Sequence, residues 1–181
     1  MDETHEIDRF IHDVGVVLDA FQRELLDLLP RLRRFARSLT RDPTDADDLL
    51  QAAVERGLKQ RSHWQPGSRL DNWMFKLMKN AWIDETRSRK RRGRVITPDE
   101  TAERVADSQA PGLDARRTAD AVTRAMRNLP DDQRVAVSLV LIEGLSYREA
   151  ADVLEAPIGT LTSRLARGRA SLMAELDGLG A

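Results

Sequence analysis

The stretch SYREAADVLEAPIGTLTSRLARGRASL, residues 146–172, decides the fold. Ser146-Tyr147-Arg148-Glu149 has the form of a capping box, in which a serine oxygen and a glutamate carboxylate each satisfy an orphan amide at a helix start. The helix it opens is short, breaks at Glu155-Ala156-Pro157, and is followed by a longer one. Helix, tight turn and helix are the dimensions of a DNA-reading helix-turn-helix. At about 100° per residue, Ile158, Leu161, Leu165, Gly168 and Leu172 gather on one side of the second helix. Thr160, Ser163 and Arg167 fall roughly opposite, with Arg164 on the flank. Small hydroxyls permit close approach to a major groove, and arginine grips guanine edges or phosphates.

Upstream, Ala119, Val122, Ala125, Met126 and Leu129 form a helical stripe. Pro130-Asp131-Asp132 starts a further helix with proline in a tolerated first-turn place, and Gly144 ends it. Before this block, residues 93–112 lose the apolar period, gain Pro98 and Pro111, and are rich in acids such as Asp99, Glu100 and Glu103, the composition of a flexible linker.

The N-terminal half is also helical. A leading helix is expected over residues 1–20 from Ile7, Phe10, Ile11, Val14 and Leu18, either extending the first domain or docking on a partner. Leu25, Leu28, Leu29, Leu32, Phe35, Ala36 and Leu39 mark a second helix, which Pro30 is expected to kink or split. Thr44, with Asp47 in the first turn, is expected to cap a third helix running to about Lys59. After the turn at Gln65-Pro66-Gly67-Ser68, Leu70, Trp73, Met74, Leu77, Met78 and Ala81 define the buried face of a fourth helix. It runs into the basic cluster from Arg87 to Arg94. Beside the apolar face, Lys76, Asn80, Ile83 and Arg87 form a lateral stripe. With Arg89, Lys90 and Arg91 it suits a DNA strand, the cations giving salt-sensitive phosphate contacts. Trp73 belongs to the core; Trp64 and Trp82 fit either core packing or base stacking.

Composition narrows the alternatives. The 181 residues are 33% charged and 4% aromatic, which favours helices over sheet, and the formal net charge of -1 hides local segregation of sign. Without cysteine there is no disulfide or thiolate metal site, and His5, His12 and His63 are too scattered to suggest another metal centre. No phosphate-binding glycine loop or nucleophile motif is present, so neither a catalytic residue nor a cofactor is expected. The acidic start lacks a signal sequence and no apolar run reaches membrane-spanning length, which points to the cytoplasm.

The C-terminal blocks Leu129-Pro130-x-x-Gln133-Arg134, Glu143-Gly144-Leu145-Ser146-Tyr147 and Pro157-x-Gly159-Thr160-x-x-Ser163-Arg164-Leu165-x-Arg167-x-Arg169 resemble region 4 of extracytoplasmic-function sigma factors. Asp47-Asp48-Leu49-x-Gln51 resembles region 2.2, and Trp73-x-x-x-Leu77-x-x-Asn80-x-x-x-Asp84-x-x-Arg87 resembles regions 2.3 and 2.4. The likeness covers most of the chain outside the linker and the first twenty residues. Trp64-Gln65-Pro66-Gly67-Ser68 also resembles the general-stress-response branch.

The resemblance implies an all-α chain of two small helical domains: a leading segment (1–20), region 2 (21–94), a flexible linker (95–113) and a helix-turn-helix region 4 (114–178). It implies that Asp48, Gln51 and Glu55 face the β′ clamp helices of core RNA polymerase, with the β flap as a further contact. Lys76, Asn80, Arg87, Arg89, Lys90 and Arg91 would meet minus-ten DNA, Asn80 and the Gln65 to Arg69 loop holding a flipped base. Thr160, Ser163, Arg164 and Arg167 would read the minus-thirty-five element, and an anti-sigma factor would cover the polymerase-binding faces. The alternative is a dimeric operator-binding regulator.

Three positions depart from the pattern. Ala52 replaces a usual acidic residue, Thr162 a lysine or methionine, and Glu155 a turn glycine, at a cost of about 1 kcal/mol if that backbone is left-handed.

Overall fold

A computed structural model of the chain describes residues 19–93 and 113–177. The expected leading helix, the linker, His5, His12, Arg94 and the side chain of Ala119 lie outside the described residues.

Helix α1 (Ala20–Leu39) begins at a capping box that the sequence reading missed: Asp19 accepts the Gln22 amide at 2.8 Å while the Gln22 side chain accepts the Asp19 amide at 2.9 Å. Phe21, Leu25, Leu28, Leu32, Phe35, Ala36 and Leu39 recur every three or four residues and are all buried. The helix is not split at Pro30. Pro30 lies on the exposed face, where water can satisfy the carbonyl that it leaves without an amide.

Helix α2 (Pro43–Lys59) ends where expected but is capped by Asp42, not Thr44. The Asp42 carboxylate accepts the Thr44 amide at 2.7 Å, which lowers its pKa, and Pro43 takes the first-turn place whose amide needs no partner. Helix α3 (Leu70–Arg91) packs across α1 and α2. Its buried face includes Phe75 and Lys79, neither anticipated, and Phe75 meets Phe35 edge-on at 5.0 Å. Trp64 and Trp82 are both buried, so the core takes them; Trp73 is only partly so.

In the second half, α4 (Leu113–Asn128), α5 (Asp131–Val137), α6 (Tyr147–Leu154) and α7 (Ile158–Asp177) make a small bundle. Ala125, Met126 and Leu129 are buried as expected, whereas Val122 is 39% exposed. Pro130 precedes α5 as its cap residue. That helix widens into a π-helical turn over Ser138–Ile142 before Gly144, at φ +70°, reverses the chain.

Close packing of α5 on α7 depends on Gly168, where an added Cβ would lie 2.7 Å from Val137 Cγ2 and 3.4 Å from Gln133 Cβ. Alanine gains about 1 kcal/mol of helix propensity over glycine, but Val137 is buried and stiff at its first torsion. Overpacking costs about 1–3 kcal/mol. Gly168→Ala is therefore expected to lower the urea midpoint. At Gly57 the obstructing atoms, Met74 Sδ and Cε, end a flexible side chain, so Gly57→Ala should lose less.

The two halves do not sit apart. One cluster of buried apolar residues runs from Phe21 through Trp82 into Val135, Leu139, Val153 and Leu161. Helix α1 touches α4, α5 and the π-helical turn, while α3 lies along α6.

Candidate nucleic-acid and polymerase interfaces

The helix-turn-helix is formed as the sequence predicts. Ser146 Oγ accepts the Glu149 amide at 3.3 Å, and the Glu149 carboxylate accepts the Ser146 hydroxyl at 2.7 Å and the Ser146 amide at 2.8 Å, two bonds that hold this carboxyl below its ordinary pKa. At the turn, Glu155 adopts φ 55°, ψ 41°, the only non-glycine residue at positive φ among those described. The strain anticipated for a side chain here, about 1 kcal/mol, is thus present.

Along α7, Leu161, Leu165 and Gly168 are buried, but Ile158 is 51% exposed. Ile158 is the first residue of the helix, and the packing that buries Leu161 in the same turn leaves it uncovered. Ser163 and Arg167 are exposed, and Thr160 and Arg164 partly so. Ser163 Oγ donates to the Thr160 carbonyl at 2.9 Å, and Arg167 Nε donates to the Ser163 carbonyl at 3.2 Å. Arg164 pairs with Asp132 of α5 at 3.1 Å, which fixes it to the flank. Together they form an outward surface of hydroxyls and guanidinium groups on a helix of 20 residues.

In the first half, Asp48, Gln51 and Glu55 are all exposed on one side of α2, and Gln51 Nε2 donates to Glu55 Oε1 at 3.1 Å. Leu58, 40% exposed, lies one turn further along. An acidic rim ending in an apolar side chain can dock on a basic protein helix.

The lateral stripe of α3 is less open. Lys76 and Asn80 are half-buried and Arg87 is exposed. Arg89 is committed internally, bonding both Asp45 oxygens at 2.6 Å and Glu85 at 2.8 Å, which raises its pKa. Lys90 pairs with Asp131 at 3.0 Å; Arg91 is exposed. The turn after Trp64 closes through a 3.0 Å bond from the Ser68 amide to the Gln65 carbonyl. It borders an open groove of about 380 Å³, lined by Glu24, Leu28, Arg31, Ser68, Arg69 and Asp71 among others, but not by Asn80. The loop and Asn80, paired in the sequence reading, do not share this groove.

Asp71 anchors that corner. Arg69 bonds both of its oxygens, at 3.0 and 2.7 Å, and Arg31 reaches it at 3.0 Å. Burial pushes the carboxyl up, but these bonds override it and hold the pKa at about 2, against 3.8 unperturbed. A depressed carboxylate stabilises above its unfolded value, and that contribution, on the order of 2 kcal/mol, disappears as pH falls from 3.8 towards 2. Urea midpoints of the wild-type chain and Asp71→Asn should therefore differ at pH 5 and converge by pH 2. A gap that does not narrow would contradict this assignment.

Sequence reasoning missed several charged residues. Arg134, 5% exposed, donates to the carbonyls of Met126 at 3.0 Å, Leu39 at 2.8 Å, Arg127 at 3.0 Å and Leu129 at 2.9 Å, with its guanidinium 5.8 Å from the Trp82 ring centroid. It caps the carboxyl ends of α1 and α4 at once. Burial pushes its pKa down. Glu143, whose side chain is fully covered, receives two 2.9 Å bonds from Arg34 and lies 3.5 Å from Arg31. Lys79, 4% exposed, bonds Glu155 at 3.1 Å. Arg134 through Leu39, Glu143 through Arg31 and Arg34, and Lys79 through Glu155 each join the two halves. An arginine in a family motif and a lysine on an apolar face were the available signals.

Comparison with known proteins agrees with this geometry. A model described as the sigma2 domain of PhyR matches residues 25–79, and one for sigma-70 region 4 matches residues 119–172. The chain is 37% identical to the ECF RNA polymerase sigma factor EcfG of Rhodopseudomonas palustris over 87% of its own length and 86% of the relative's. It is 30% identical to SigM of Bacillus subtilis over 78% and 85%. A solved structure of the sigma factor RpoE with the anti-sigma factor NepR, from Bartonella quintana, superposes with a TM-score of 0.75 at 30% identity, over 88% of this chain and 98% of that one. That of CnrH with the cytosolic domain of CnrY gives 0.62 at 25%, covering 88% of each.

Two helical domains, one carrying a helix-turn-helix, thus define a sigma factor, a subunit that directs core RNA polymerase to promoters. The chain belongs to the extracytoplasmic-function sigma factors. This displaces the dimeric operator-binding regulator. Among the described residues no helix is long and apolar enough to cross a membrane.

Proposed function

We propose that the chain acts in the cytoplasm as a general-stress-response sigma factor, without chemistry of its own and under the control of an anti-sigma protein. In this reading Asp48, Gln51 and Glu55 meet the β′ clamp helices, the second domain meets the β flap, and α7 reads the minus-thirty-five element through Thr160, Ser163, Arg164 and Arg167. Lys76, Asn80 and Arg87, followed by Lys90 and Arg91, engage the minus-ten strands, while Arg89, held by Asp45 and Glu85, braces the end of α3. Asn80 reads an unpaired base whose Watson-Crick edge a duplex would hide.

The observation that carries the reading is the outward face of α7, where Ser163 and Arg167 are exposed beside the buried Leu161 and Leu165. The structure of the sigma factor RpoE in complex with the anti-sigma factor NepR supports an anti-sigma partner here.

Transcription reconstituted from core polymerase and the purified chain, on genomic fragments, tests the reading. Initiation from defined start sites that requires both components is expected. Duplex binding without core, together with no specific initiation, would overturn it.

A further inference from the structure

Three carboxylates of the second half, Glu143, Glu149 and Glu155, follow one another at intervals of six residues, and each meets cations of the first half. Arg34 holds Glu143 bidentately and Arg31 adds both an ion pair and a 3.3 Å bond to its carbonyl. Arg69 bonds Glu149 while its other nitrogens hold Asp71. Glu155 divides its two oxygens, Oε1 to Lys76 at 2.8 Å and Oε2 to Lys79 at 3.1 Å. Those two ammonium groups hold its carboxyl below the ordinary range.

Glu155 makes this bridge from a left-handed backbone that glycine would adopt without strain. The position gives up local comfort and obtains a contact with the other half. Lys76 is one of the cations assigned to promoter DNA, so the carboxylate stands where a phosphate would stand. The rim of Asp48, Gln51 and Glu55 on α2 stays exposed in this same arrangement.

We propose that Glu155 and Glu143 form an acidic latch that keeps the free chain closed, with Lys76 of its minus-ten DNA face covered and its polymerase-docking rim open. The inference rests on the assignment of Lys76 and its neighbours to DNA. Polymerase can then engage the chain before DNA does, and the latch yields when the halves are drawn apart. Carboxylate and phosphate compete for Lys76, so the free chain binds non-specific DNA less tightly through this face.

The full chain, free of polymerase, supplies the test. It contains no cysteine, so Arg56→Cys and Met173→Cys at exposed positions accept a spin-label pair, one in each half. Pulsed dipolar spectroscopy should give one narrow distance for the wild-type latch and a longer, broader distribution for Glu143→Gln/Glu155→Gln, with helicity retained. The unlabelled double variant should bind mixed-sequence single-stranded DNA about tenfold more tightly than the wild-type chain at low salt. Glu155→Gly, which relieves the backbone strain, should shift both readings in the same direction.

Unchanged distances in both variants would overturn the latch, and open distances with unchanged DNA affinity would overturn the masking. Failure of polymerase-dependent initiation would leave the distance result standing, so the two proposals fail separately.

Discussion

Replacing Arg134 with alanine is expected to cost on the order of 3–5 kcal/mol, a large share of the 5–15 kcal/mol typical of whole domains. The substitution removes donors from four buried or partly buried carbonyls, those of Leu39, Met126, Arg127 and Leu129, and opens a void beside Trp82. Unmet carbonyls at the carboxyl ends of helices are costly when buried because neither water nor a following amide reaches them. Arg134→Lys keeps the charge but lacks the fork that reaches several carbonyls, so most of the loss should remain. Urea denaturation followed by circular dichroism measures both. A change below about 1 kcal/mol for Arg134→Ala would show that this staple contributes little.

The second large effect is functional. Asn80→Ala should reduce open-complex formation about tenfold or more while leaving affinity for core polymerase unchanged, because Asn80 lies on α3, away from the α2 rim. Asp48→Ala should do the opposite: weaker core binding, and normal melting once polymerase is saturating. Promoter melting can be followed by the fluorescence of a 2-aminopurine reporter, and core binding by anisotropy. Equal loss of both in Asn80→Ala would remove its assignment to DNA reading.

Local patterns carried much of the fold. Apolar recurrence fixed α1 and α3, and the Ser146-Glu149 box fixed where α6 begins, because these signals act within a few residues. The errors were also local. Thr44 and Asp42 are both competent caps, and what favours Asp42 is that Pro43 is preset for the first helical turn. Pro30 reads as a breaker, yet packing of seven buried side chains keeps the helix whole.

The contacts between halves were not legible, since Arg34 and Glu143 lie 109 residues apart and neither looks unusual beside its neighbours. Lys79 could have been noticed, because it sits directly after Met78 and beside the stripe. A lysine on that edge nevertheless reads as solvated unless its carboxylate partner is known. For the DNA and polymerase faces, sequence supplied residue types and spacing, while the structure supplied which cations are already engaged. Arg89 is the clearest instance: the sequence groups it with Lys90 and Arg91, but Asp45 and Glu85 hold it.

The continuous apolar cluster has a bearing on how such a chain is handled by the cell. Separating the halves uncovers greasy surface on both, so a subunit pulled open and then released is at risk of self-association until it closes again. Heating should accordingly melt the intact polypeptide in one calorimetric transition, whereas either fragment expressed alone should be less soluble than the parent.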